Sequence, residues 1–205
     1  MLHGEKLNAW THLAGAVLAV LGTLVLLVRA GISGDVWKII GVAVYGSALV
    51  TMYTVSTLYH SAQGATKALW QRLDHLSIYL LIAASYTPFC LVTLHGSTGW
   101  TLLAVVWGLA LFGCIQEVRH LPGARILSMV IYLGMGWAAL AALIPLRQGL
   151  GSDGFAWVAG GGIVYTLGIV FYAIDTRLRH GHGIWHLFVV GGSAAHYVAI
   201  LCYVL

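Results

Sequence analysis

Residues 10–28 read WTHLAGAVLAVLGTLVLLV, with no Asp, Glu, Lys or Arg among them. A helix crosses the roughly 30 Å hydrocarbon layer of a bilayer with about 20 mostly apolar residues, and this stretch is long enough. Working outward, the pattern recurs at Ile39–Leu58, Leu76–Leu94, Trp100–Ile115, Ile126–Leu146, Phe155–Ile174 and Ile184–Leu205. Strands of a membrane barrel would alternate polar and apolar residues; these runs do not. The reading is an all-α membrane protein, a seven-transmembrane helix bundle forming a single domain over residues 1–205. The joining segments GISGD, SAQGATK, HGSTG, HLPGAR, RQGLGSDG and TRLRHGHG are short and rich in turn residues, and leave no room for a further domain. No internal repeat is visible.

Composition agrees. Apolar residues make up 60% of the chain and charged residues 8%, against about 25% charged in ordinary globular domains. Mean hydropathy is +0.90. Such a chain cannot clothe a surface facing water, and it is too apolar to be disordered. The net charge of +4 comes without any basic run, so it argues for no nucleic-acid partner and instead for membrane topology. Counting Lys and Arg by side places Lys6, Lys67, Arg72, Arg119, Arg125, Arg177 and Arg179 with the N-terminus, against Arg29, Lys38 and Arg147 on the other side. Seven against three makes the N-terminus cytoplasmic and the C-terminus outside. The opening MLHGEKLNAWTH lacks the basic start and small-residue cleavage site of a signal peptide, so the first apolar stretch is expected to stay as a helix. The 26 glycines, including Gly160–Gly162 and Gly191–Gly192 inside spans, fit close helix packing in lipid. Pro88 and Pro145 are expected to kink or end spans. Cys90, Cys114 and Cys202 lie in apolar stretches with no C-x-x-C spacing and read as packed or lipid-facing thiols.

Polar groups are costly in a bilayer and mark function by default. Here they gather at one depth, near the cytoplasmic face. Span one starts there with Glu5, Asn8, Thr11 and His12; span two ends there with Ser56 and His60; span three begins with Asp74 and His75; span seven begins with His182 and His186. His182 and His186 are four apart and share a helix face, a spacing at which two imidazoles can bind one ion. His60 is the best-placed third ligand. Three neutral imidazoles suit zinc and leave a position open for water. Ser56 lies one turn from His60 on its face, and Asp74 is at matching depth to hold or deprotonate that water. The bland alternative is interfacial histidines bonded to headgroups or carbonyls.

Four patches in order resemble the hemolysin III family, the bacterial branch of the progestin and adiponectin receptor superfamily. They are Glu5-Lys-Leu-Asn8-Ala-Trp10-Thr11-His12, similar to an E-x-x-N-x-x-T-H opening; Ser56-Thr-Leu-Tyr-His60; Asp74 in LDHLSIYLLIAASYTP; and His182-Gly-Ile-Trp185-His186. The resemblance spans nearly the whole chain. It implies a seven-helix fold with the N-terminus in the cytoplasm of a bacterial inner (plasma) membrane, zinc on His60, His182 and His186, and Asp74 against the metal-bound water. The wider superfamily resembles alkaline ceramidases, which implies hydrolysis of a lipid-like amide or ester, with Asp74 and Ser56 as catalytic residues and membrane lipids as partners. The alternative is a non-catalytic sensor or regulator of membrane state with a structural zinc. A channel or transporter ranks third, since no ionisable track continues to the outer face. The family name implies red-cell lysis, which no residue pattern here explains.

The remaining polar residues read as structural. His12 is expected to be a satisfied helix histidine rather than a further polar group near the zinc, Glu5 and Asn8 to cap span one or bond to loops, and His75 to face away from Asp74. His196, ten residues beyond His186, is too deep to share the metal and reads as packing or a buried hydrogen bond. Glu117 with Arg119, and Asp175 with Arg177 or Arg179, read as interfacial charges.

Overall fold

The structure, a computed structural model, describes residues 5–119 and 124–205. The HLPGAR connection therefore lies largely outside the described residues. Among those described there is no strand, and seven helices follow one another: α1 (Lys6–Ser33), α2 (Val36–Ser61), α3 (Thr66–Pro88), α4 (Gly96–Arg119), α5 (Ala124–Gly136), α6 (Leu143–Ala173) and α7 (Gly181–Tyr203). Six segments of helix are long and apolar enough to cross a membrane, one of them the 49-residue run Arg125–Ala173.

The breaks between helices follow local chemistry. Gly34 ends α1 in the left-handed conformation (φ 66°), which costs glycine little, and Asp35 then caps α2 by accepting from the amides of Trp37 (2.8 Å) and Lys38 (3.2 Å). Pro88 closes α3, and the chain widens into a single π-turn at Phe89–Thr93. Between α5 and α6 the helix tightens into a 3₁₀ turn, Ala138–Ala142. Pro145 follows in the first turn of α6, where its missing amide hydrogen is not needed.

The stretch RQGLGSDG, expected as a loop, is helical apart from Gly151. There φ 69° and ψ 175° break the helix direction at one residue. The run nevertheless returns to where it started: Arg125, at its beginning, bonds the Tyr172 carbonyl oxygen (2.5 Å) and the Asp175 carboxylate (2.6 Å), at its end.

Each helix packs on its chain neighbours, and α7 closes back on α1. One apolar cluster joins α1, α2, α6 and α7 around Leu26, Tyr45, Met52 and Ile200. Another joins α3, α4 and α5 around Tyr79, Val106 and Met135. The outside is apolar too. Leu18, Leu21, Val28 and Ile32 all project from α1, the last 80% exposed, an arrangement lipid tolerates and water does not. Of the glycines, Gly161 and Gly192 meet the facing helix so closely that a Cβ would lie 2.4 Å from the His196 ring and 2.7 Å from the Tyr165 ring, whereas Gly160 and Gly162 face open space. The three cysteines are free thiols.

Candidate metal centre

One end of the bundle collects the polar residues, because helices that alternate in direction bring there the start of α1, the end of α2, the start of α3 and the start of α7. On α2, Ser56 and His60 are four residues apart and both buried. His186 is buried one turn after His182 on α7. Gly183 lies between them, and a Cβ there would come within 2.6 Å of Leu7 and 3.0 Å of Asn8. Its bareness lets α1 approach.

Ligand nitrogens of His60, His182 and His186 lie within 4.8 Å of one another, and the three could hold a metal ion. Their ring centroids are 4.8 to 5.1 Å apart. Each ring uses Nδ1 on an oxygen. His60 donates to the Glu5 carboxylate, His182 to Asp175 (2.9 Å) and His186 to the Asn8 backbone carbonyl (3.1 Å). Carboxylate and carbonyl oxygens accept only, so Nδ1 must carry the hydrogen and Nε2 the lone pair. Metal-ligating histidines are oriented in the same way. His60 Nε2 is buried with no hydrogen-bond partner among the described residues, an uncompensated cost that a bound cation would remove. No fourth His, Cys, Asp or Glu among the described residues joins the group. The donor set fits a metal that prefers nitrogen, with room for water.

The supporting carboxylates lie outside the helices. Partial burial would raise the Glu5 carboxyl, but its bonds to His60 and to the Lys67 ammonium (3.2 Å) outweigh burial and hold it below the usual range. Asp175 behaves alike: burial opposes, Arg125 and His182 prevail, and the carboxyl is lowered. Glu5 occupies the capping position of α1 without capping it by its side chain. Asp175 pairs with Arg125 and His182, not as the interfacial charge the sequence implied. Neither link was legible, because the bends that carry Glu5 and Asp175 have no helical period.

Two cavities flank the cluster. An apolar one reaches from Ser56, Asp74 and His186 into the bundle as far as Phe155 and His196. A polar vestibule is lined by Glu5, His60, Glu117, Arg125 and Asp175. Asp74 is buried at the mouth of the apolar cavity, within electrostatic range of His182. Ser56 Oγ is buried beside Asp74, close enough to act on its carboxylate.

His12 is not the satisfied histidine expected. Neither of its ring nitrogens has a partner among the described residues, and the ring stacks on His186 at 3.6 Å. The alternative reading, a polar group near the candidate metal ligands, fits this position, but the stack itself left no spacing signal in the sequence. His75 donates to Glu117 (2.8 Å). His196 makes the buried bond expected of it, Nε2 to the Val158 carbonyl (3.2 Å).

The family model described as "Haemolysin-III related" matches residues 1–197. The chain belongs to the haemolysin-III family. It is 41% identical to "Hemolysin-3" of Bacillus cereus over 98% of this chain and 92% of that one. It is 40% identical to the "Hemolysin-3 homolog" of Bacillus subtilis (strain 168) over 97% and 93%. Beyond bacteria it is 30% identical to the human "Monocyte to macrophage differentiation factor", over 96% of this chain and 82% of that one. A haemolysin-III chain with these apolar segments is an integral, multi-pass membrane protein.

Proposed function

We propose that this haemolysin-III protein is a zinc-dependent hydrolase of a lipid-like amide or ester. The observation that carries the reading is the three-histidine cluster itself: every Nδ1 is tied to an oxygen, and the cluster lies where a polar vestibule meets an apolar cavity. A substrate with a polar head and an apolar chain suits that pair of spaces. His60, His182 and His186 would hold the zinc, which when bound would supply a Lewis acid, lowering the pKa of water towards about 7 and polarising a carbonyl. Asp74 orients the attacking water and takes its proton. Ser56, on the cavity wall beside Asp74, donates to the carbonyl oxygen as that oxygen gains charge.

The same reading includes the topology. The 49-residue run would span about 74 Å if straight, more than twice the hydrocarbon thickness. Its ends meet at Arg125 and Asp175, which supports two crossings and a total of seven. The charge count supports an N-terminus inside and a C-terminus outside, and the likeness to bacterial relatives supports a bacterial inner membrane.

Metal analysis and hydrolysis test this together. Purified protein is expected to carry one zinc per chain and to cleave a long-chain amide or ester. Chelator is expected to abolish cleavage and added zinc to restore it. Unchanged zinc in a His182→Ala/His186→Ala double variant would remove the ligand assignment. A zinc-loaded protein that cleaves no lipid amide or ester would remove the hydrolase and leave zinc as a structural staple in a membrane sensor.

A further inference from the structure

The vestibule and the apolar cavity meet at a neck, and four residues line both: His75, Tyr132, Tyr172 and His182. His182 belongs to the metal cluster. His75 does not, and no step above uses it. It follows Asp74 on α3, so its side chain leaves the helix about 100° round from that carboxylate. The turn carries it towards α4, where Nδ1 donates to Glu117 Oε1 at 2.8 Å.

Glu117 is itself fixed. Ser128 Oγ donates to its other oxygen at 3.2 Å, and Gln116 Nε2 does so at 3.5 Å. Gln116 is held in turn by Tyr79 (2.9 Å) and Ser128 (2.8 Å). With Nδ1 committed, Nε2 on the opposite edge of the ring is the nitrogen left for a substrate, and the side chain keeps 26% of its surface accessible. Among the described residues, the charged groups that act on the ring are Glu117 on α4, Asp74 on its own helix and Arg125 on α5. Burial disfavours a charge on the ring, and the Glu117 bond with the two nearby carboxylates opposes that penalty. Tyr132 cannot substitute, since its hydroxyl is committed to the His75 carbonyl oxygen (3.2 Å).

We propose that His75, oriented by Glu117, is the general acid that protonates the leaving group at the neck. The inference rests on the hydrolase reading and adds the proton donor that reading lacks. Water oxygen bonds to the acyl carbon as Asp74 takes one of its protons. The bond from carbon to nitrogen then breaks, its electron pair goes to nitrogen, and that nitrogen takes the Nε2 proton of imidazolium His75. One water is consumed, and a carboxylic acid and an amine are released. Asp74 returns its proton to solvent and His75 regains one through the vestibule, so both end as they began. An imidazole whose Nδ1 is held by a carboxylate donates from Nε2 in serine hydrolases by the same logic.

The test exploits the leaving group. An alkylamine cannot leave without a proton, whereas p-nitrophenolate can. His75→Gln keeps a donor for Glu117 but has no proton to transfer. The zinc-loaded full chain is assayed on an N-alkyl fatty amide and on the p-nitrophenyl ester of the same acid. The amide-to-ester rate ratio is expected to fall about 100-fold or more, a typical size for general acid catalysis, with zinc per chain unchanged. Glu117→Gln should move the ratio in the same direction by less. Equal losses on both substrates in zinc-replete His75→Gln, or no loss on the amide, overturn the assignment and leave the hydrolase reading standing. A wild type that cleaves neither substrate overturns both. If His75→Gln fails to hold zinc, Glu117→Gln decides: an unchanged ratio refutes the role, and a falling ratio upholds it.

Discussion

His60, His182 and His186 were legible as a set because two share a helix face and the third ends a span at the same depth. Their acceptors were not. Glu5 and the Asn8 carbonyl come from the start of the chain and Asp175 from the segment before α7, and only the folded geometry joins each to its imidazole. That difference can be measured. Asp175 both orients the His182 ring and favours its hydrogen on Nδ1, so Asp175→Asn is expected to weaken zinc binding about 10- to 100-fold, read by competition with a chromophoric chelator. Asp74 sits differently, at the mouth of the apolar cavity and outside the three-ligand group. Asp74→Asn is expected to keep zinc at saturating metal while losing most hydrolysis, because it preserves shape and removes the base. Full activity in that variant would refute the base role. Both assays need neutral pH, since an imidazole must be unprotonated to bind metal.

Hydropathy reveals helices well and their interruptions poorly. The apolar runs marked α1 to α4 and α7 in the sequence because any span must be apolar throughout. The Arg125–Ala173 run was legible only in part: RQGLGSDG marks the break in direction at Gly151, whereas the 3₁₀ turn at Ala138–Ala142 is as apolar as its surroundings. Glycine shows the same limit, because composition cannot say which glycines touch a neighbour. On α4, a Cβ at Gly113 would lie 2.2 Å from the ring of Tyr79, whereas one at Gly108 would meet nothing within 4 Å. Tyr79 is fully buried and bonded to Gln116, so its ring has nowhere to move. Gly113→Ala is therefore expected to destabilise the protein by about 1–3 kcal/mol through overpacking. Gly108→Ala should be neutral or stabilising by up to about 1 kcal/mol, from helix propensity alone. Thermal melts of the two variants in one detergent compare them. A Gly113→Ala melt matching that of Gly108→Ala would mean that α3 and α4 pack less closely than described.

At the scale of the molecule, the two ends of the bundle differ in charge and in chemistry. The cluster end holds the α2–α3 connection, Lys67 and Arg125, together with every ligand and acceptor of the candidate centre. The C-terminal residue lies at the other end, where its backbone oxygen accepts from Lys38 Nζ (2.8 Å) near the start of α2. If the chain crosses the bilayer seven times with its basic side inside, the cluster end faces the cytoplasm and Leu205 faces out. Alkaline phosphatase, active only after export, is then expected to work when fused after Leu205 and to fail when inserted within residues 61–67. A fluorescent protein that matures only in the cytoplasm should give the reverse pattern. The outcomes separate two claims resting on different physics. Opposite sides with the labels exchanged would keep an odd number of crossings and reject the orientation drawn from the seven-to-three charge count. The same side for both would reject the count itself. The Arg125–Ala173 run would then have to cross once, against the contact of Arg125 with Asp175 that joins its ends.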